Sequence, residues 1–225
     1  KDYKIFWHKN LSSVPNQTDI IFSNEFLDTF PIHQYDYTET GWTEKFIGVD
    51  ENKKLCFINK AIPRELLVNI GDIPLNSTIE FSPSMNSYFQ IIADRIKENG
   101  GCALFIDYGY EKPTYKSTLN AILNHNIVEI LDNVGNIDLS AHVDFSQLNV
   151  LAKKIGVHNY GIITQSKFLK NLGINQRAEK LIKHNQSQSK NIKKDVNRLI
   201  DDNEMGNLFK VYGISQKKIS NFPGF

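Results

Sequence analysis

Five consecutive apolar residues, Cys102 to Ile106, stand between the pair Gly100-Gly101 and the tip Asp107-Tyr108-Gly109-Tyr110. An unbroken run without period-two alternation fits a strand buried on both faces, as in a parallel sheet covered by helices. The preceding residues agree with this. Ser82 offers an N-cap oxygen, and Pro83 takes the first helical position, where a missing N–H costs nothing. Met85, Tyr88, Phe89, Ile92, Ala93 and Ile96 then recur at helical spacing until Asn99-Gly100-Gly101 stops the helix. Helix, tight turn, buried strand and polar tip together predict an α/β fold.

The same grammar continues downstream. Asp144 and Gln147 have the spacing of a capping box before an apolar face of Phe145, Leu148, Leu151, Ala152 and Ile155. Gly156 ends that helix, "HNYGIITQ" reads as a strand, and "NLFKVYGIS" closes the chain as a last strand. Upstream, Lys4 to Trp7 and Asp19 to Ser23 are short strand candidates. Residues 32–60 alternate aromatic and polar side chains between turn-rich segments, which predicts an antiparallel meander inserted against the main sheet. Residues 166–203 form a helical insertion whose polar middle, "KHNQSQSKN", is expected to be a mobile loop. The expectation is one α/β domain over 1–225 with two insertions and no internal repeat.

Bulk properties exclude several classes. A chain of 225 residues can bury a core, and a net charge of +1 argues against a nucleic-acid binder driven by a strong basic field. No apolar run approaches the ~20 residues needed to span a bilayer. Cys56 and Cys102 lie in apolar runs without metal-type spacing and read as reduced core thiols of a cytosol-like compartment. The six histidines lack metal spacing, so no metal site is expected. None of the thirteen glycines forms Gly-x-Gly, so neither a dinucleotide fingerprint nor a P-loop is present, and no Gly-x-Ser-x-Gly elbow occurs.

Ligands of open α/β sheets bind outside the carboxyl ends of the strands. Two such ends are visible, Asn24-Glu25 and Asp107-Tyr108-Gly109. Residue types alone leave two readings of the first: a site, or a loop in which Asn24 and Asp28 cap and turn the chain while Glu25 faces water. A third polar cluster, "NIDLSAHVDF", contains Asp144, already explained as a cap, and His142, which is not. His33 and His125 have weaker claims.

Six blocks in order resemble a known family: "SNEFLDTFPIHQY", "GWTEKFIGVD", "GGCALFIDYGY", "DLSAHVDF", "TQSKFLKNLGI" with Arg177, and "MGNLFKVYGIS". They are similar to the conserved blocks of the MidA-like family of class I S-adenosylmethionine-dependent methyltransferases. The resemblance implies a partial, Rossmann-like class I methyltransferase sheet whose last strand is antiparallel. It implies protein-arginine N-methylation linked to respiratory complex I assembly, with S-adenosyl-L-methionine as cofactor. The family's Gly-rich cofactor loop and acidic ribose-binding residue precede the block at Trp7, so the main binding loop is expected outside these residues. A separate N-terminal half, or self-association, is then expected to cover the sheet edge. The resemblance further implies Glu25, Asp28 and His142 as catalytic residues, Asn24 as cofactor-binding, and Glu25 and Asp107 as substrate-binding, with Arg177 and Lys210 left structural or substrate-facing. The partner would be a protein substrate, such as a complex I core subunit, with no nucleic acid and no membrane span. The compartment would be the bacterial cytoplasm, or the mitochondrial matrix in a eukaryote. The alternative is a non-catalytic assembly protein that cannot bind the cofactor alone. A retaining glycosidase, which also uses Asn-Glu at a strand end, would need eight βα units.

Overall fold

The computed structural model describes residues 3–17, 19–63, 72–124 and 126–225. Its central sheet has the order β1-β6-β12-β11: Asp19–Asn24, Gly101–Tyr110, Phe209–Ser215 and His158–Thr164. A two-residue strand, β10 (Val143–Asp144), pairs in parallel with the far end of β6. β1 runs parallel to β6, whereas β12 is antiparallel to both its neighbours. That is the sheet expected from the buried run and the closing strand.

Helices cover this sheet on both faces, as the unbroken run at Cys102–Ile106 requires. On one face α1 (Pro83–Asn99) and α2 (Phe145–Ile155) pack Phe89, Ile96, Phe145 and Leu148 onto Ala103, Phe105, Tyr212 and Ile214. On the other, Phe168 of α3 (Gln165–Asn171) and Met205 of α6 (Met205–Leu208) meet Ile106, Phe209 and Val211. The caps form as expected: Ser82 Oγ accepts from Met85 N–H, and the Asp144 side chain accepts from Ser146 and Gln147 N–H. Gln147 departs from the expected capping box: its Oε1 accepts from Asn86 Nδ2 at 3.3 Å and so joins α2 to α1.

Two glycines are required by close approach. At Gly101, φ is +99° and a Cβ would lie 2.0 Å from the Asp19 carbonyl oxygen, which lets β1 enter beside β6. At Gly109 a Cβ would lie 2.2 Å from the Val143 carbonyl oxygen, which lets β10 dock. Arg95, only 7% exposed, anchors the approach to β1. Its Nε donates to Asp19 Oδ2 at 2.5 Å, and its other nitrogens donate to Val14 O, Pro15 O and Asn16 Oδ1.

The meander is β2 (His33–Thr38), β3 (Gly41–Val49) and β4 (Leu55–Ala61), extended by β5 (Ser77–Phe81) in the order β4-β3-β2-β5. A small sheet of β7 (Asn120–Leu123), β8 (Asn126–Val128) and β9 (Asp138–Ser140), not anticipated from sequence, lies between β6 and β10 along the chain. Its strands are too short to impose a period.

Three expectations are corrected. Lys4 to Trp7 form no strand, and Ile5, Phe6 and Trp7 are 73, 74 and 92% exposed; a strand needs a neighbour, and none pairs with them among the described residues. "KHNQSQSKN" is not a long loop. α4 (Ile174–His184) runs through its first two residues, a 3₁₀ turn spans Gln186–Gln188, and α5 (Ser189–Ile200) begins directly after. Polarity there marks the solvent side of helices joined by a tight corner. Cys56 and Cys102 are free, but both are half-buried rather than core.

Candidate functional site

β1 delivers its last residue, Asn24, to the carboxyl end of the sheet, and the chain then turns sharply. Glu25 holds φ +46°, a left-handed conformation uncommon for a side chain with a Cβ, and its N–H donates to Ile106 O at 3.0 Å. Asn24 and Glu25 are both exposed, with Asn24 Nδ2 donating to Glu25 Oε1 at 3.4 Å. A 3₁₀ turn, Leu27–Thr29, follows and buries Leu27 and Asp28.

What holds this turn is Asp107, from the next strand end. Its side chain is fully buried. Oδ2 accepts from the backbone N–H groups of Phe26, Leu27 and Asp28 at 3.1, 2.9 and 3.4 Å, and Oδ1 accepts from Tyr108 N–H at 3.0 Å. Asp107, expected to bind substrate, lies buried beneath the loop and holds its backbone amides. Burial, with the charge of Asp28 next, pushes its carboxyl up to about 7, against the lowering effect of the Leu27, Phe26 and Asp28 amides.

Asp28 and His142 are brought together through Tyr108. The Tyr108 hydroxyl donates to Asp28 Oδ2, while its ring meets the His142 ring edge-on at 5.6 Å. Burial raises the Tyr108 phenol first, and the hydrogen bond to Asp28 adds to this. Burial lowers the His142 pKa; the Glu80 charge opposes that shift and Lys210 reinforces it. The net shift favours the neutral imidazole. His142 N–H donates to Thr118 Oγ1, and Ala141 N–H donates to the Asp28 carbonyl, so the two loops are tied to each other.

Beneath the turn, Asp28 and His142 share a cavity of ≈20 Å³ with Glu80 and Tyr110, room for about one water. The Oδ1 atom of Asp28 and the Ser23 hydroxyl are buried with no protein partner. Glu80 is buried but engaged, accepting from Gln34 Nε2 and from the N–H groups of Thr118 and Leu119.

Sequence reasoning missed Tyr108 and Glu80. Tyr108 lay in the quoted strand tip without a role, and only the fold reveals its contact with Asp28, 80 positions away. His33 pairs with Glu44 in the meander at 2.6 Å, His125 lies outside the described residues, and Arg177 is on α4. Lys210 is 9% exposed and its Nζ donates to Asn207 O. No helix among the described residues is long and apolar enough to cross a membrane.

Comparisons with known proteins bear on this arrangement. Residues 1–163 match a family described as "Putative S-adenosyl-L-methionine-dependent methyltransferase". The chain is 33% identical over 224 residues to the mitochondrial protein arginine methyltransferase NDUFAF7 homolog of Caenorhabditis elegans, covering 96% of this chain and 51% of that protein. It is 33% identical over 216 residues to protein arginine methyltransferase NDUFAF7 of Danio rerio (93% and 50%), and 30% identical over 216 residues to that of Homo sapiens (93% and 48%). The chain therefore spans about half the length of these relatives. A solved structure of an uncharacterised protein from Burkholderia thailandensis matches the fold with a TM-score of 0.85 at 24% identity, over 96% of this chain and 60% of that one. A second, described as a "likely methyl transferase from Burkholderia thailandensis bound to S-adenosyl-homocysteine", matches with a TM-score of 0.79 at 24% identity, over 91% and 55%.

Proposed function

Because the chain belongs to the MidA-like family of S-adenosyl-L-methionine-dependent methyltransferases, we propose that the carboxyl end of β1 is the substrate side of a site that methylates a protein arginine. The observation that carries this reading is Glu25, an exposed carboxylate on a left-handed backbone that Ile106 and the Asp107-bound turn hold in place. A guanidinium stays protonated at neutral pH, and its fork of N–H donors matches a carboxylate bidentately.

The residues present fit the cofactor along one flank. Asn24 offers an exposed amide, and the unpartnered Ser23 hydroxyl lies one residue behind it. S-adenosylmethionine, when bound, supplies a methyl group activated by its positively charged sulfur. Glu25 would hold the guanidinium at the strand end with one nitrogen turned toward the methyl donor, and positioning of this kind supplies much of the rate. Transfer of that methyl group to the guanidinium nitrogen would release one N–H proton. Neutral His142 and Asp28, joined through Tyr108, are the groups available to receive it. The protein target is taken to be a respiratory complex I subunit. The compartment is taken to be the mitochondrial matrix, or the cytoplasm in a bacterium. These follow from the resemblance, and the relatives' mitochondrial names support the first compartment.

β1 needs company to do this. Its outer edge has no strand partner among the described residues, and Ile20 and Phe22 are 87 and 64% exposed. A strand-bearing polypeptide, contiguous or separate, would pair with this edge and complete the cofactor site. The same open edge supports a second reading, a non-catalytic assembly protein.

The test of catalysis is transfer of labelled methyl to an arginine peptide by the completed protein. Glu25→Gln should lower turnover by about 100-fold or more, the scale of losing one oriented polar contact in a transition state, with the folded spectrum unchanged. Near-normal turnover would remove Glu25 from the mechanism.

A further inference from the structure

The helical insertion carries a charge imbalance that the chain's net charge conceals. Residues 165–200 hold nine Lys and Arg against two Asp and Glu, whereas the remaining residues hold 17 against 23. Within it, α4 buries only Ala178 and α5 buries nothing; their other apolar residues are half-buried except Leu181, which is exposed.

Between them lies a groove of ≈350 Å³, with Leu172, Ala178 and Leu181 on one side and Val196 and Leu199 on the other. Leu172 is 51% and Leu181 44% exposed. Beside it, a hollow of ≈570 Å³ shares Leu172 and Leu181 and adds Lys180 and His184, while Arg177 borders both. Ile174, Ala178 and Leu181 follow one helical stripe of α4. Arg177, Lys180 and His184 follow a neighbouring one. An apolar trough therefore runs beside a cationic rim for the length of an eleven-residue helix, roughly 16 Å. Neither Arg177 nor Lys180 makes an ion pair among the described residues.

We propose that this groove docks an acidic amphipathic helix of a protein partner. Apolar side chains at i, i+3 or i+4, and i+7 would enter the trough, and a flanking row of carboxylates would meet the Arg177–Lys180–His184 rim. The complementarity is specific in sign: the rim repels an arginine-rich segment, so this contact is distinct from the methyl-accepting arginine. An anionic membrane fits less well, because the apolar residues, half-exposed Leu172 and Leu181 included, line a concave groove, whereas a membrane-inserting surface projects them as a convex face.

The proposal can be tested with the whole chain and a labelled peptide of about 15 residues, long enough for a helix of three to four turns. The peptide carries leucines at helical spacing and glutamates along one flank; its control carries lysines instead. Fluorescence anisotropy should show saturable binding of the glutamate peptide that weakens with added salt, and no binding of the lysine peptide. The double variant Arg177→Glu/Lys180→Glu alters exposed residues only. It should weaken the glutamate peptide by about tenfold and admit the lysine peptide. Equal binding of both peptides by the unaltered chain, binding of neither, or capture of phosphatidylserine vesicles without capture of the glutamate peptide would each overturn the proposal.

Discussion

Glu25 adopts φ +46°, where a side chain with a Cβ costs about 1 kcal/mol relative to the right-handed region. The structure offsets this by making the next three residues donors to one oxygen of Asp107. The pH dependence of that arrangement follows from opposed effects on Asp107. Its folded pKa is raised from 3.8 to about 7, so its contribution to stability is fully present below the unfolded value and is lost as pH rises through 7. Urea unfolding of the wild type and Asp107→Asn should therefore show the wild type's relative stability falling between pH 4 and pH 7. A relative stability that rises over this range would mean that the amide donors outweigh burial and hold the carboxyl ionised. Asp107 was legible as a polar strand tip. Its attachment to Phe26, Leu27 and Asp28 was not, because backbone donors leave no trace in side-chain identity.

At the scale of elements, Arg95 makes the start of β1 depend on α1. The side chain is almost fully buried, pairs with Asp19 and also binds the carbonyls of Val14 and Pro15. Arg95→Met would leave Asp19 charged and without its partner, so denaturant unfolding should show a loss of about 3–5 kcal/mol. Arg95→Met combined with Asp19→Asn should recover part of it; no recovery would show that the guanidinium matters through the carbonyls rather than the carboxylate. Local signals served the elements well where they were strong. Ser82-Pro83 and Asp144 marked helix starts because a cap is a contact between near neighbours. The signals failed at Lys4–Trp7, where three apolar residues behind a lysine have no strand beside them among the described residues, and at β7 to β9, whose pairing depends on residues brought together by the fold.

At the scale of the whole molecule, the central sheet has helices on both faces, and among the described residues its end strands β1 and β11 each pair on one side only. α1 and α2 cover one face, α3 and α6 cover part of the other, and β1 leaves Ile20, Phe22 and an unpaired edge in solvent. Calorimetry with S-adenosylmethionine should show no heat of binding to this chain alone, and binding once a strand-bearing N-terminal segment of a full-length relative is supplied. Ile20→Lys with Phe22→Lys should leave the chain folded, since both side chains are exposed, yet abolish the rescue. Absence of binding even with the segment would count heavily against methyl transfer and favour the assembly reading.

The sequence by itself determined the α/β class, the doubly covered strand at Cys102–Ile106, the helix caps and the polar strand end at Asn24-Glu25. Each of these is written in the spacing of neighbouring side chains, and spacing along the chain is what a sequence displays. Only the tertiary structure decided that Asp107 is buried beneath the loop and holds its amides, that Tyr108 links Asp28 to His142, and that a basic groove opens between α4 and α5. These depend on backbone donors, on burial and on residues about 80 positions apart, quantities that exist only once the chain has closed on itself.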